Sequence, residues 1–291
     1  MTPIRWGVLG ASNFAREHMA PAIHGARGAV LAALGTSHPD KADPFRAFAP
    51  DLRVHDSYDA VLDDPDIDAV YIPLPNHLHA DWTVKALHAG KHVLCEKPIA
   101  LREDDFDRLI EARDRTGMLA AEGFMIVHHP QMQRAREIVR SGALGELVQV
   151  DGAFSFFNDD MDNIRNQAEA GGGALCDIGV YICGAARFIT GQEPQTIDHA
   201  KITLHNDVDT SVRLVADFGA FDYTGFVSMR AFNRQHLVIH GEKGVLRLTC
   251  PFNAGVFDQA EIHLETDKGT RTVERFPGVA QYRLQVEAFC E

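Results

Sequence analysis

An acid and a phenol stand one helical turn apart at Asp177 and Tyr181, in Gly171-Gly172-Gly173-Ala174-Leu175-Cys176-Asp177-Ile178-Gly179-Val180-Tyr181. Residues i and i+4 share a helix face. A carboxylate and a phenol behind a glycine-rich turn can move a proton. Taken alone, the spacing better describes a core tyrosine with an acid in the first turn of its helix. Lys97, in Cys95-Glu96-Lys97-Pro98, precedes a proline and is therefore extended or in a turn. It closes an apolar run, where an open parallel sheet presents side chains to a ligand. An isolated lysine there is just as well an ordinary surface charge.

Trp6-Gly7-Val8-Leu9-Gly10-Ala11-Ser12-Asn13-Phe14-Ala15 matches G-x-G-x-x-A with Ser12 in place of the second glycine. Gly10 serves a tight turn, Ser12 a close backbone approach, and Ala15 the contact of helix with sheet. The N–H groups of the helix start then face a pyrophosphate. A plain strand–turn–helix also fits the pattern. Its place at the head of a strand–helix alternation favours dinucleotide binding, with Gly10, Ser12, Asn13, Phe14 and Ala15 at the phosphates. No acid lies between Arg27 and Pro39, where one would accept from the 2′-OH of NAD. Thr36, Ser37, His38 and Lys41 can hold a 2′-phosphate instead, so NADP is preferred and NAD kept open. His77-x-His79 with nearby Asp81 lacks the further ligand a metal needs, and no metal is expected.

Two kinds of texture position these residues. Up to about residue 125, short apolar runs (4–10, 30–35, 69–74, 92–95 and 118–124) alternate with helical stretches. That pattern argues for a parallel sheet with helices on both faces. After about residue 145, seven strand-like runs and one helix (about 174–189) argue for an α+β domain with a largely antiparallel sheet. Two domains are expected, 1–124 and 125–291. A net charge of −13 disfavours nucleic acid and anionic lipid as partners. No stretch approaches the roughly 18 unbroken apolar residues of a membrane span. The N-terminus lacks a signal-peptide core, and the five cysteines are odd in number without a CxxC pair. A reducing cytoplasm is expected.

The segments WGVLGASNFA, VYIPLPNHLHADWTVKALHAGKHVLCEKPIAL and GGGALCDIGVY, in this order, resemble the Gfo/Idh/MocA oxidoreductases, the glucose–fructose oxidoreductase and inositol dehydrogenase family. Asn163-Ile164-Arg165 and the tyrosine at Tyr181 resemble the branch of D-xylose dehydrogenases and dimeric dihydrodiol dehydrogenases. The resemblance implies a Rossmann domain followed by a domain with a large open sheet, and a homodimer or higher homo-oligomer formed through that sheet. It implies that Glu96, Lys97 and Pro98 line the nicotinamide, often with a cis Lys-Pro bond. Leu74, Pro75, Asn76 and His79 would flank the cofactor. Arg165 would approach cofactor or substrate, and Tyr282 would reach back toward the active site. Relatives usually continue past a Gln-x-Glu-x-Phe pattern into a further helix and strand, so the resemblance implies a truncated or short variant.

With that context, the expected reaction is reversible hydride transfer between nicotinamide and a carbinol of a sugar or related cyclic polyol. Tyr181 would take the alcohol proton. Lys97 would favour the phenolate and bind the substrate oxygen. Asp177 would orient Lys97 or the substrate, and Phe156, Asn158, Asp162 and Arg165 would contact the substrate. Two alternatives stay open: a non-catalytic dinucleotide-binding regulator, and an NAD-dependent glycosidase of the same fold.

Overall fold

The computed structural model describes residues 2–266 and 269–291. It divides into two compact units, one running to Met125 and including Tyr282–Glu291, the other Ile126–Gln281.

The first unit is built on six parallel strands: β1 (Ile4–Leu9), β2 (Ala29–Gly35), β3 (Arg53–His55), β4 (Ala69–Ile72), β5 (His92–Cys95) and β6 (Ala120–Glu122). Their order is β3-β2-β1-β4-β5-β6, so the order of strand addition switches from one side of β1 to the other at β4. A ligand crevice forms at such a switch point, beyond the carboxyl ends of the strands. Strands covered on both faces need side chains that are apolar throughout; Ala69, Val70, Tyr71 and Ile72 are all buried. Trp6, Val8, Leu34 and Tyr71 fill the core on one face, and Leu9, Val70, Ile72 and Val93 that on the other. The alternation in the sequence anticipated five of these strands. β3 did not stand out because Val54, between Arg53 and His55, is its one apolar residue.

The last helix, Gln281–Cys290, corrects the expected domain limits, which assigned everything from 125 to 291 to the second domain. Residues 282–291 pack in the first unit. Val286 is fully buried in the Trp6 cluster, and the Phe289 ring lies 4.8 Å from that of Trp6. Apolar contacts made across most of the chain length decide this placement, and local periodicity carries no record of them.

The second unit holds eight strands in the order β14-β13-β12-β11-β7-β10-β9-β8. They are β7 (Leu147–Phe157), β8 (Thr196–His205), β9 (Val208–Asp217), β10 (Asp222–Ser228), β11 (Arg230–Gly241), β12 (Gly244–Leu248), β13 (Glu261–Thr266) and β14 (Thr270–Arg275). Neighbours are antiparallel except β7 and β10, which run parallel. One face is covered by Pro130–Arg140 and Val180–Thr190, which bury Ile138, Ile182 and Ile189. Val148 on β7 and Ile197, Ile202 and Leu204 on the edge strand β8 are exposed. Ala168–Thr190 is apolar and long enough to cross a bilayer by composition, but half of it is buried within the protein, as suits a core helix.

Pro130–Arg140 is capped by His129, whose Nδ1 accepts from the Gln131 N–H at 3.1 Å. That bond fixes the neutral tautomer with the proton on Nε2. Burial lowers the His129 pKa from 6.5 to about 4. A base with a lowered pKa in the folded state contributes stability above its unfolded value and loses it as the pH falls. We expect about 2 kcal/mol to disappear between the unfolded and folded values, after allowance for partial solvation. His129→Asn keeps a capping acceptor without the titration. Urea unfolding across that window should give a flatter pH dependence for the variant than for the wild type. Parallel curves would refute the assignment.

Candidate active site

In the first unit, β1 runs into Gly10, whose φ of +115° lies outside the range of most side-chain-bearing residues. A Cβ there would meet Leu74 Cδ2 and Tyr58 Oη at 3.3 Å, so the turn is closed to anything larger. Ser12 caps the helical turn that begins at Ala15. Its Oγ accepts from Ala15 N–H at 3.1 Å and its carbonyl from Arg16 N–H at 3.0 Å. The N–H groups ahead of Ala15 have no intrahelical acceptor by geometry and face outward from the helix start. Asn13 is exposed and Phe14 half-buried. The Tyr282 ring meets Phe14 edge-on at 5.6 Å and stacks on His18 at 5.5 Å, beside the helical turn that follows Gly10. A bare turn, a free helix start and a buried aliphatic wall fit a dinucleotide.

Beyond β2, the residues considered for the 2′-phosphate divide. Ser37, His38 and Lys41 are exposed. Thr36 is buried, and its hydroxyl accepts from the His38 N–H at 3.2 Å. Thr36 therefore shapes the loop rather than offering itself to a phosphate, which corrects its expected role as a phosphate contact.

Lys97 sits on a loop pinned from several sides. Glu96 N–H donates to Ile72 O at 3.0 Å, and the Tyr71 hydroxyl donates to Glu96 Oε1 at 2.7 Å. Ile99 N–H donates to Glu122 Oε1 at 2.9 Å. The Lys97-Pro98 bond is cis, as the resemblance implied. Burial raises the Glu96 carboxyl above its usual range, opposed by Lys97 and by the Tyr71 hydroxyl. Tyr71 is pushed up as well, first by burial and then by Glu96. Glu96 thus anchors the loop through Tyr71.

His79 is also corrected. It is fully buried, with Nδ1 at 2.7 Å from Pro98 O and Nε2 at 2.7 Å from Leu74 O. It ties the loops after β4 and β5 together, and no ring nitrogen remains for a cofactor. Both partners are carbonyls, so the ring donates to both only when doubly protonated. Burial lowers its pKa, and the two carbonyls oppose that shift. Leu74 is buried against the Gly10 turn, while Pro75, Asn76 and Pro98 are partly exposed beside it.

In the second unit, Asp177 lies in a π-helical turn, Leu175–Gly179, that leads into Val180–Thr190. A similar turn, Ala15–Met19, comes after Gly10. Such turns gather at functional sites. Asp209 on β9 caps the helix start by accepting from Leu175 N–H at 2.7 Å. Gly173 makes room for it, since a Cβ would lie 2.0 Å from Asp209 Oδ1. Burial raises the Asp209 carboxyl, and the backbone N–H groups pull it back.

Arg165 Nε donates to Asp177 Oδ2 at 2.7 Å, so the two residues singled out separately in the sequence are one ion pair. Asp177 is buried. Its carboxylate is held by Arg165, which fixes the helix turn carrying Tyr181. Tyr181 is buried between Phe154 and Phe252, with ring centroids at 5.8 and 5.9 Å. Phe156 is half-buried beside Phe154. Asn158 departs from the expected substrate contact. Its Oδ1 accepts from Asn166 Nδ2 and Asp160 N–H, both at 3.1 Å, and its carbonyl accepts from Arg230. The amide oxygen is engaged in folding the loop. Asp162 is exposed on that loop.

Sequence reasoning missed Tyr71, Glu122, Asp209, Phe154 and Phe252. An acid inside an apolar strand was a usable signal for Glu122. The others look like ordinary strand or loop residues until the chain folds.

Residues 4–124 match the model of the GFO_IDH_MocA oxidoreductase family, NAD-binding Rossmann fold, and residues 132–247 match the GFO/IDH/MocA C-terminal domain. A dTDP-3,4-didehydro-2,6-dideoxy-alpha-D-glucose 3-reductase of Saccharopolyspora spinosa is 35% identical, over 99% of this chain and 86% of its own length. D-xylose 1-dehydrogenase (NADP(+)) 2 of Haloferax volcanii is 33% identical, over 98% of this chain and 87% of its own. The crystal structure of KijD10, a 3-ketoreductase from Actinomadura kijaniata in complex with NADP and TDP-benzene, superimposes with a TM-score of 0.91 at 29% identity, covering 99% of this chain and 89% of that one. This chain belongs to the GFO/IDH/MocA family of oxidoreductases, with an NAD-binding Rossmann fold as its first domain.

Proposed function

We propose that this protein is an NADP-dependent oxidoreductase that interconverts a carbinol and a carbonyl on a sugar or related cyclic polyol. The observation that carries the reading is the pinned loop around Lys97. Tyr71, His79 and Glu122 hold its backbone and the neighbouring Glu96 carboxylate, so a lysine at a strand end has a fixed base. An ordinary surface charge needs no such support, whereas a functional group does. NADP is favoured by exposed Ser37, His38 and Lys41 beyond β2, and by the NADP named for the xylose dehydrogenase and the 3-ketoreductase.

When bound, the nicotinamide accepts or returns the hydride. In oxidation, the carbinol C–H bond breaks as the O–H proton passes to the Tyr181 oxygen, leaving a carbonyl. In reduction the same phenol gives the proton back. The Lys97 ammonium hydrogen-bonds the reacting oxygen and stabilises its negative charge. Arg165 holds Asp177, and with it the turn from which Tyr181 projects.

A homodimer belongs to the proposal, supported by the exposed Ile197, Ile202 and Leu204 on the edge strand β8. So does a cytoplasmic setting, supported by five unbridged cysteines.

The test is reduced-nicotinamide absorbance with NADP and NAD in parallel, against aldoses, inositols and trans-dihydrodiols, in both directions. Turnover of a sugar with NADP at the higher kcat/KM supports the reading. Release of free sugar without net cofactor reduction would select the glycosidase. Cofactor binding without turnover of any panel member would select the regulator.

A further inference from the structure

The segment Cys250–Asn253 has no regular secondary structure, yet Cys250, Pro251 and Phe252 are buried. Irregular backbone normally lies at the surface, because its N–H and C=O groups need partners. Here three buried glutamine side chains supply them, each from a different element. Gln235 on β11 accepts from the N–H groups of Phe252 and Asn253, at 3.3 and 3.1 Å. Gln281, at the start of the last helix, donates to Phe252 O at 3.0 Å. Gln131 on Pro130–Arg140 donates to Cys250 O at 3.0 Å. Both polar groups of the Phe252 backbone are therefore held by side-chain amides. The arrangement is costly, since the amide oxygens of Gln131 and Gln281 are buried without a partner among the described residues.

The clamp delivers a ring. Phe252 is fully buried, stacked on Phe154 at 5.2 Å and 17°, and tilted against Tyr181 at 5.9 Å and 32°. Phe154 meets Tyr181 at 5.8 Å. The three rings touch in pairs, so the plane of Tyr181 is fixed by two neighbours. Phe154 lies on a long central strand and needs no further support. Phe252 lies on a loop, and the glutamines give it the rigidity a strand would have given.

We propose that the 250–253 segment is a positioning device for the Tyr181 phenol, with Phe252 as its contact residue and Gln235, Gln281 and Gln131 as its anchors. The proposal rests on the reading of Tyr181 as the proton-transfer group. Misplacement of a reacting group by about 1 Å costs on the order of 100-fold in rate. A ring that only fills space would affect stability and leave the proton-transfer step alone.

The test is a double-mutant cycle on the full chain, using Phe252→Leu, Tyr181→Phe and the pair, with kcat, KM and thermal midpoint measured for each. Phe252→Leu should lower kcat by about tenfold or more while the KM for cofactor stays unchanged. In the Tyr181→Phe background the same substitution should change kcat by less than about twofold, because the oxygen it positions is gone. An equal loss in both backgrounds, or wild-type kcat for Phe252→Leu, would overturn the proposal. Wild-type kcat for Tyr181→Phe would overturn the proton-transfer reading itself. If Phe252→Leu does not fold, Gln235→Met removes the anchor while sparing the ring, and the same non-additivity is expected of it.

Discussion

Lys97→Met lowers turnover about 1000-fold, equivalent to about 4 kcal/mol of transition-state stabilisation, and leaves the dissociation constant for NADP within about threefold. Methionine keeps the length and most of the packing of lysine and removes only the charge and its donors. The loop itself survives, because its anchors act on the Glu96 carboxylate, the Pro98 carbonyl and the Ile99 N–H. Steady-state rates and cofactor fluorescence titration measure the two quantities separately. A variant with near-normal kcat would remove Lys97 from the chemistry. A variant that fails to bind cofactor would make the lysine a binding group instead.

Tyr181→Phe lowers kcat by about 100- to 10000-fold, the range for loss of a general acid–base group. Folding should be preserved, since the phenyl ring keeps its contacts with Phe154 and Phe252. The pH profile gives the sharper sign. In the oxidation direction the phenol must be deprotonated to accept the alcohol proton, so wild-type kcat rises with pH until the phenolate is formed. Tyr181→Phe should lose that limb and show a flat residual rate. In the reduction direction the wild-type dependence has the opposite sign, because the protonated phenol is then the active form. An unchanged rising limb in the variant would assign the titration to another group.

Lys97, Tyr181, Gly10 and Asp177 each stand in a local pattern that the sequence displays, although for Lys97 and Tyr181 that pattern alone also fits a surface charge and a core ring, and the family resemblance singled them out. These are a turn glycine after an apolar strand, a lysine before proline at a strand end, and an acid and phenol at i and i+4. Local patterns are written in neighbouring residues, and backbone sterics and helix geometry read them directly. The alternation of the first 125 residues and the strand runs of the second half pointed to the fold class for the same reason. The structure confirmed a parallel sheet followed by a mostly antiparallel one.

Elsewhere the missing information lay between distant residues. Thr36 and His79 have the polarity of ligand-binding groups, and the sequence does not show that His38, Leu74 and Pro98 engage that polarity. Asn158 was a substrate contact by type and became a loop fastener through Asn166, Asp160 and Arg230. Phe252 gave no signal at all, since its ring partners are on β7 and the Tyr181 helix. Its loop is held by amides from two further helices and β11.

The sequence by itself determined the chemistry available to this protein and the order of its elements, because propensity, turn residues and hydrophobic period act over a few residues at a time. Tertiary structure alone decided which polar groups remain for a ligand and which are already bonded, and which unit the last helix joins. Burial decides both. A polar group taken out of water must find a partner, and an apolar helix face such as that of Val286 and Phe289 goes wherever the largest apolar surface accepts it.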